Sequence, residues 1–261
     1  MAKNAEKDFG PIAEDYAFFE QHATEAREDV RAYLEEIGPL FPAPGLVRML
    51  DFGCGSGTFT TRFLDAAGWP PDRLRLTLVE PVEAARRQAA SRLARYAAEP
   101  VTQSATLPVG PANRFELILS NHVLYYVPDL PGELTKLIDS LAPTGVFATA
   151  IAGRTNALIA FWLTGFRLLG REVPYNTSED VEAALCNLGA DYEKQQVAYE
   201  LKFPDTEENR LRIIRFLLAD HLSQMPRQPL LELFDPHSRA GEILVRTASD
   251  HYTVRSQVEA H

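Results

Sequence analysis

Three glycines stand at every second position in Leu50-Asp51-Phe52-Gly53-Cys54-Gly55-Ser56-Gly57-Thr58. Glycine is needed where backbone must turn sharply or let a ligand come close. An apolar run (Leu46, Val47, Met49, Leu50, Phe52) ends in these glycines, and a helical pattern (Phe59, Phe63, Leu64) begins directly after them. A helix N-terminus behind such a turn offers free N–H groups. Turn and helix together seat a nucleotide-like ligand or a carboxylate. One βαβ step downstream, Glu80 closes a second apolar run, where an acid can accept hydrogen bonds from both hydroxyls of a ribose. Ser104, Ala105 and Thr106 follow a third, short run and could touch a base. A fourth run ends in Ser120-Asn121-His122, with Val123-Leu124-Tyr125-Tyr126 behind it. Each piece alone has a plain reading: a turn, a surface acid, a core histidine, packed tyrosines. Open parallel sheets bind ligands beyond the carboxyl ends of their strands, and all these groups fall at such ends, so the joint pattern points to a nucleoside cofactor site with Asp51, Gly53, Gly55, Gly57, Glu80, Ser104, Ala105, Thr106 and Asn121 around it.

The elements that must hold these residues are legible from periodicity. Tyr16, Phe19, Ala23, Ala26, Val30, Tyr33, Leu34 and Ile37 recur at helical spacing, so residues from about Ile12 to Ile37 read as one amphipathic helix or a broken pair. Gly38-Pro39 ends it and Pro42-Ala43-Pro44-Gly45 reads as a linker. Strands are expected at Leu46–Phe52, Leu74–Val79, Val101–Ser104, Phe115–Asn121 and Gly145–Ile151, alternating with helices at Thr58–Ala67, from Pro81 to about Ala97, and at Pro131–Leu141. Nearly continuous apolar strands alternating with helices predict an α/β fold with a parallel sheet covered on both faces. After Gly153 the pattern changes. An apolar helix is expected at Asn156–Leu169 and another from Ser178 to Gly189. Gln195–Phe203 is a weak strand, Glu207–Leu222 a strong helix and Pro229–Phe234 a short one. Strand-like residues fill Gly241–Val254. This gives a helical cap over 1–45, a ligand-binding core over 46–153, and pocket helices with the last strands over 154–261, one domain overall.

The 261 residues can bury a sizeable core, and the formal charge of −10 disfavours a nucleic-acid partner. No apolar span is long enough to cross a bilayer, and Met1–Lys7 leads into no signal-like apolar core. With two cysteines, Cys54 and Cys186, a disulfide framework is not expected, and a reducing cytoplasm is. Cys54 reads as a small turn residue rather than a reactive thiol.

The glycine pattern departs from G-x-G-x-x-G, since Gly57 comes one place early and Thr58 fills the usual slot, and a long helix precedes the first strand. The chain resembles the class I S-adenosylmethionine-dependent methyltransferases instead. Leu50–Gly57 is similar to their first motif, Val79-Glu80 to their acidic motif, and Leu141-Ala142-Pro143-Thr144-Gly145 to the turn before their fifth strand. The resemblance implies a Rossmann-like, seven-stranded, mostly parallel sheet whose last strand, near Gly241–Val254, is antiparallel. S-adenosylmethionine is the implied cofactor and no metal is.

Outside the core, Phe18–Glu25, Leu124–Leu130, Thr177–Val181 and Asn187–Glu193 resemble the histamine N-methyltransferase family in order and spacing. There the N-terminal helix and the later insertion wall an amine pocket. By that resemblance Glu25 faces the amine, Tyr16 and Phe19 form an aromatic wall, and Tyr125 and Tyr126 are its paired tyrosines. The family's glutamine before Leu-Tyr-Tyr is His122 here. Ala157 and Phe161 fall nearest its tryptophans, and Thr247 nearest its C-terminal asparagine. These departures concern the acceptor pocket, so the resemblance implies a small-molecule acceptor other than histamine. His122, Glu25 and Tyr126 are the expected catalytic groups. His122 could act as base or only position the substrate, and the aromatic wall could stabilise positive charge. An O-methyltransferase acting on a carboxyl or hydroxyl group, and a non-catalytic S-adenosylmethionine-binding module, stay open beside an N-methyltransferase. A small-molecule substrate, no nucleic acid, no membrane, and a monomer or homodimer complete the expectation.

Overall fold

The computed structural model describes residues 10–41, 45–108, 110 and 114–256. The expected linker at 42–44 and the Met1–Lys7 segment lie outside the described residues. Helices α1 (Ala13–His22) and α2 (Glu25–Ile37) come first. The alternating core follows as β1 (Val47–Phe52), α3 (Thr58–Ala67), β2 (Leu74–Val79), α4 (Glu83–Leu93), β3 (Thr102–Ser104), β4 (Phe115–Asn121), α5 (Leu130–Asp139) and β5 (Leu141–Ile151). Then come α6 (Ile159–Leu168), α7 (Ser178–Asn187), β6 (Tyr192–Pro204), α8 (Glu207–Leu218), α9 (Arg227–Leu231), β7 (Ser238–Arg239) and β8 (Glu242–Arg255).

The strands form one sheet in the order β3-β2-β1-β4-β5-β8-β6. The pairs β3–β2, β2–β1, β1–β4 and β4–β5 are parallel, while β8 runs antiparallel between β5 and β6. Seven strands were expected and the described residues form eight. The additional one is the two-residue β7, which pairs with β8 alone. The order reverses at β1/β4, so the carboxyl ends of these two strands flank the crevice where such sheets bind ligands.

Parallel strands need crossovers, and the crossovers bury both faces of the sheet. One face packs Met49, Leu78, Leu119 and Ala150 beneath Val30, Tyr33 and Ile37 of α2, Phe63 of α3 and Leu93 of α4. The other packs Ile118, Phe147 and Tyr252 beneath Leu134 of α5, Trp162 and Phe166 of α6, Leu185 of α7 and Leu217 of α8.

Contacts of particular residues set where several boundaries fall. The N-terminal helix is the broken pair. Ala23 is extended (φ −95°, ψ 141°) and bridges Leu201, Thr24 N–H donates to the Glu200 carbonyl at 2.8 Å, and Glu200 N–H donates to Thr24 Oγ1 at 3.0 Å. The break therefore joins the cap to β6. Helix α6 starts at Ile159 rather than Asn156 because the Asn156 side chain turns the chain, its Oδ1 accepting from Leu158 N–H at 2.9 Å. The expected helix at Pro229–Phe234 begins earlier, at Arg227, and passes into a 3₁₀ segment over Glu232–His237.

The cap is tied to the second half of the chain. Arg215 of α8 donates from Nε and Nη2 to the two Asp15 oxygens at 2.9 and 3.0 Å, the bidentate form that gives an ion pair geometric specificity. Phe203 of β6 is 1% exposed and sits between Phe18 of α1 (ring centroids 5.8 Å apart) and Phe234 (5.6 Å). Truncating it empties the junction of cap, sheet and helical layer. Phe203→Ala is expected to lower unfolding free energy by about 3–5 kcal/mol, read from denaturant midpoints at constant m.

Candidate functional site

The glycine turn is built for close approach. Gly53, Gly55 and Gly57 have φ of 77°, 51° and 78°, the left-handed region that favours glycine. Gly53 N–H and Cys54 N–H both donate to the Val79 carbonyl, at 2.8 and 3.2 Å, which fixes the turn against the end of β2. A Cβ on Gly53 would lie 2.4 Å from Val123 Cγ1, and one on Gly57 would lie 3.0 Å from Ala89 Cα of α4. A Cβ on Gly55 would meet nothing within 4 Å. The turn is thus wedged against the segment after β4 on one side and α4 on another, and open at its middle glycine.

Two acids stand there. Glu80 accepts from Gly55 N–H at Oε2 (3.1 Å) and from Val82 N–H at Oε1 (2.9 Å), one donor on each oxygen. Its own N–H donates to the Ser104 carbonyl at 3.1 Å. Asp51 is 4% exposed and accepts from the Thr60 hydroxyl. Burial pushes its carboxyl up to about 7, against the Thr60 hydrogen bond and with help from Glu80. Ser104 Oγ donates to the Thr106 carbonyl at 2.5 Å within its own turn, where Ala105 and Thr106 are exposed. Cys54 is buried, and burial raises its thiol far above the ordinary range.

The residues after β4 gather a second group. Asn121 turns toward α2, accepting from Tyr33 OH at 3.0 Å and donating from Nδ2 to Asp29 Oδ2 at 3.2 Å. His122 has φ 56°, unusual for a residue other than glycine. Its Nε2 lies 3.1 Å from Asp29 Oδ2 and 3.5 Å from Glu25 Oε1, and its Nδ1 lies 3.1 Å from Tyr125 OH. Burial alone would lower the imidazole, but Glu25 and Asp29 outweigh it and push it up to about 9. Burial raises Glu25, with His122 and a hydrogen bond from Tyr199 opposing and Asp29 adding. Burial would also raise Asp29, yet His122 and His251 hold it well below the usual carboxylate range.

Aromatic side chains line this end of the molecule. Tyr125 OH accepts from Ala152 N–H at 2.6 Å while its ring meets Trp162 edge-on at 5.3 Å. Tyr126 packs on Tyr125 (5.7 Å) and Tyr175 (5.3 Å). In the cap, Phe19 stacks on Phe216 at 4.8 Å and Tyr16 packs on the same ring at 5.3 Å. Tyr16 is 37% exposed, yet desolvation raises its phenol and Glu20 and Glu25 add to the rise. Phe161 is 3% exposed and packs on Phe234 at 4.7 Å, and Thr247 Oγ1 accepts from Ala157 N–H at 3.0 Å.

The structure thus brings Glu25, His122 and Tyr125 into direct contact, with Tyr126 beside them, and packs the glycine turn at Gly53 closely against Val123 of the same loop. Phe161 stands in the helical layer behind. Asp29, His251, Tyr199 and Asn156 escaped sequence reasoning. Asp29 had a signal, being an acid one turn after Glu25 within the apolar stripe Ala26–Val30–Tyr33. Tyr199, Asn156 and His251 come from chain-distant strands and a loop, and had none. Among the described residues, no three His, Cys, Asp or Glu side chains are grouped to hold a metal ion, and no helix is long and apolar enough to cross a membrane.

A family model described as a methyltransferase domain matches residues 21–193. No curated protein matches. Among solved structures, the chain is similar to the YcgJ protein of Bacillus subtilis (14% identity, TM-score 0.55, 87% of this chain and 99% of that one). It is also similar to the plantazolicin methyltransferase BpumL in complex with S-adenosylhomocysteine (13% identity, TM-score 0.53, 94% and 90%).

The raised histidine sets a pH dependence. A group whose folded pKa lies above its unfolded value stabilises fully below the unfolded value and loses that contribution as pH rises through the folded one. The His122 contribution is therefore complete below 6.5 and lost toward about 9. Melting temperature is expected to fall more steeply across that window in the natural protein than in His122→Gln, as differential scanning calorimetry would show.

Proposed function

The chain belongs to the methyltransferase-domain family, and from that premise we propose that it methylates a small molecule with S-adenosylmethionine, at an amine or imidazole-like nitrogen. The observation that carries this reading is the Glu25–His122 pair, held by the same loop on which the glycine turn is wedged. Donor seat and acceptor pocket then share one wall.

The residues present fit the donor. Glu80 takes one backbone donor per oxygen and so keeps lone pairs for two ribose hydroxyls. Gly55 leaves its side of the turn open. Ser104, Ala105 and Thr106 follow β3 where a base would lie, and Asp51 and Asn121 would support the seat from beneath. The bound S-adenosylhomocysteine in the plantazolicin methyltransferase supports the same donor. When bound, the donor supplies an electrophilic methyl group on positive sulfur, and the new bond to the acceptor forms as the S–C bond breaks.

The chain's own residues do the rest by positioning, which for a pre-activated group accounts for much of the rate. Glu25 attracts a cationic or N–H-bearing acceptor and takes up the proton that the acceptor nitrogen loses. Tyr16, Phe19 and Tyr126 form apolar and π surface around it, with Tyr125 fixed behind His122. Phe161 and Thr247 stand outside these contacts, Phe161 packed on Phe234 and Thr247 Oγ1 accepting from Ala157 N–H. Resemblance of Phe18–Glu25 and Leu124–Leu130 to the histamine N-methyltransferase family supports nitrogen as the acceptor atom.

Titration calorimetry with S-adenosylhomocysteine tests the donor. Binding is expected, weakened about 10–100-fold in Glu80→Ala by loss of charge-assisted hydrogen bonds. No heat of binding, or an unaltered affinity in the variant, contradicts it. Turnover of a panel of small amines, imidazoles, phenols and carboxylic acids tests the acceptor. A methylated nitrogen is expected, and Glu25→Gln should lower kcat/KM about 100-fold with S-adenosylhomocysteine affinity unchanged. Methylation at oxygen supports the O-methyltransferase instead, and binding without turnover supports a non-catalytic module.

A further inference from the structure

Asp29 is 1% exposed and has a distinct partner on each carboxylate oxygen. Oδ1 lies 2.9 Å from His251 Nε2 of β8. Oδ2 lies 3.1 Å from His122 Nε2 and accepts from Asn121 Nδ2 at 3.2 Å. Asn121 is held in turn by Tyr33 OH, and the Tyr33 ring packs on His251 at 4.7 Å between centroids. One side chain of α2 therefore fixes the end of β4 and the middle of β8.

We infer that Asp29 is a positioning residue for the proposed reaction, clamping His122 and His251 so that His122 meets the acceptor as a fixed cationic partner of Glu25 and not as a proton acceptor. This rests on the reading above and deepens it.

The geometry leaves His122 no idle nitrogen. Nε2 faces Asp29 and Glu25, both from α2, and Nδ1 faces Tyr125 OH, itself bonded by Ala152 N–H. The further titratable groups in the cluster reach His122 only through these, namely Tyr199 of β6 through Glu25, and His251 of β8 and Tyr33 of α2 through Asp29 and Asn121. Two carboxylates beside one imidazole favour its charged form, and the rise of His122 to about 9 agrees with that. The left-handed backbone at His122 is a conformation that persists only where surroundings over-determine it, and the Asp29 contact is one of the constraints that does so.

The clamp selects the acceptor. With His122 engaged by Asp29 and Glu25, it offers no free cation to a carboxylate ligand, and two carboxylates about one imidazole leave the cluster net negative. A carboxylic acid meets like charge there, while an ammonium or an N–H donor finds a partner. The acceptor class is thus a nitrogen base, with Glu25 as the group that takes its proton.

Imidazole NMR titration of the full chain tests this, with signals assigned by His122→Gln and His251→Gln. In the natural protein His122 is expected to titrate near 9, and in Asp29→Asn to fall by about one unit or more. The alkaline limb of kcat/KM for an accepted amine should move toward acid by the same amount. S-adenosylhomocysteine binding should stay within about threefold, which separates a lost clamp from a lost fold. A natural-protein value near 6.5, or an Asp29→Asn titration that does not move, overturns the inference. Should Asp29→Asn not fold, His251→Gln serves instead, since freeing one Asp29 oxygen should hold or raise the His122 value and a fall overturns the inference. Failure of the natural protein to bind S-adenosylhomocysteine overturns the donor reading, and the NMR result is independent of it.

Discussion

Asp29 carries negative charge where water does not reach, and the working end of the molecule is arranged around that fact. Removing a carboxylate from water costs several kcal/mol even after relaxation. Hydrogen bonds to a charged group contribute about 1.5–3 kcal/mol each, so the contacts from His122, His251 and Asn121 offset the cost only if all are made together. Helix α2, the end of β4 and the antiparallel β8 must therefore hold one relative placement. Elements far apart in the chain are locked by polar geometry at the point where hydrophobic packing alone would tolerate sliding.

That placement gives the proposed site its two halves. On the donor side the glycine turn is wedged between Val123 and Ala89, with Glu80 at its lip. On the acceptor side Glu25, one helical turn from Asp29, reaches His122, while the first cap helix brings Tyr16 and Phe19 over on Phe216. The Asp15–Arg215 pair and the Phe18–Phe203–Phe234 contacts tie that cap to the helical layer. Cap and sheet are thus coupled from both ends of α1.

Much of this was legible in the sequence because it is local. The β1 apolar run, its three glycines and Glu80 one βαβ step later lie within a single supersecondary unit, where periodicity and turn chemistry are decisive. The alternation of strands and helices from Leu46 to Ile151 likewise follows from binary pattern. The cap divided at Ala23–Thr24 because a bridge to Leu201 of β6 intervenes, and a partner so distant in the chain leaves no mark on helical spacing. Asn156 reads as a helix residue until its side chain is seen turning the chain. The pairing of Asp29 with His122 and His251 spans the whole chain, and no spacing rule reports it. Only the presence of an acid in an apolar stripe hinted that α2 buries a charge.

A crystal structure with S-adenosylhomocysteine bound tests the central claim most directly. The account predicts the ribose hydroxyls on Glu80, the nucleoside against the glycine turn at Gly55, and the sulfur facing Glu25, His122 and Tyr126. A nucleoside lodged elsewhere, or a sulfur turned away from Glu25 and His122, would contradict it.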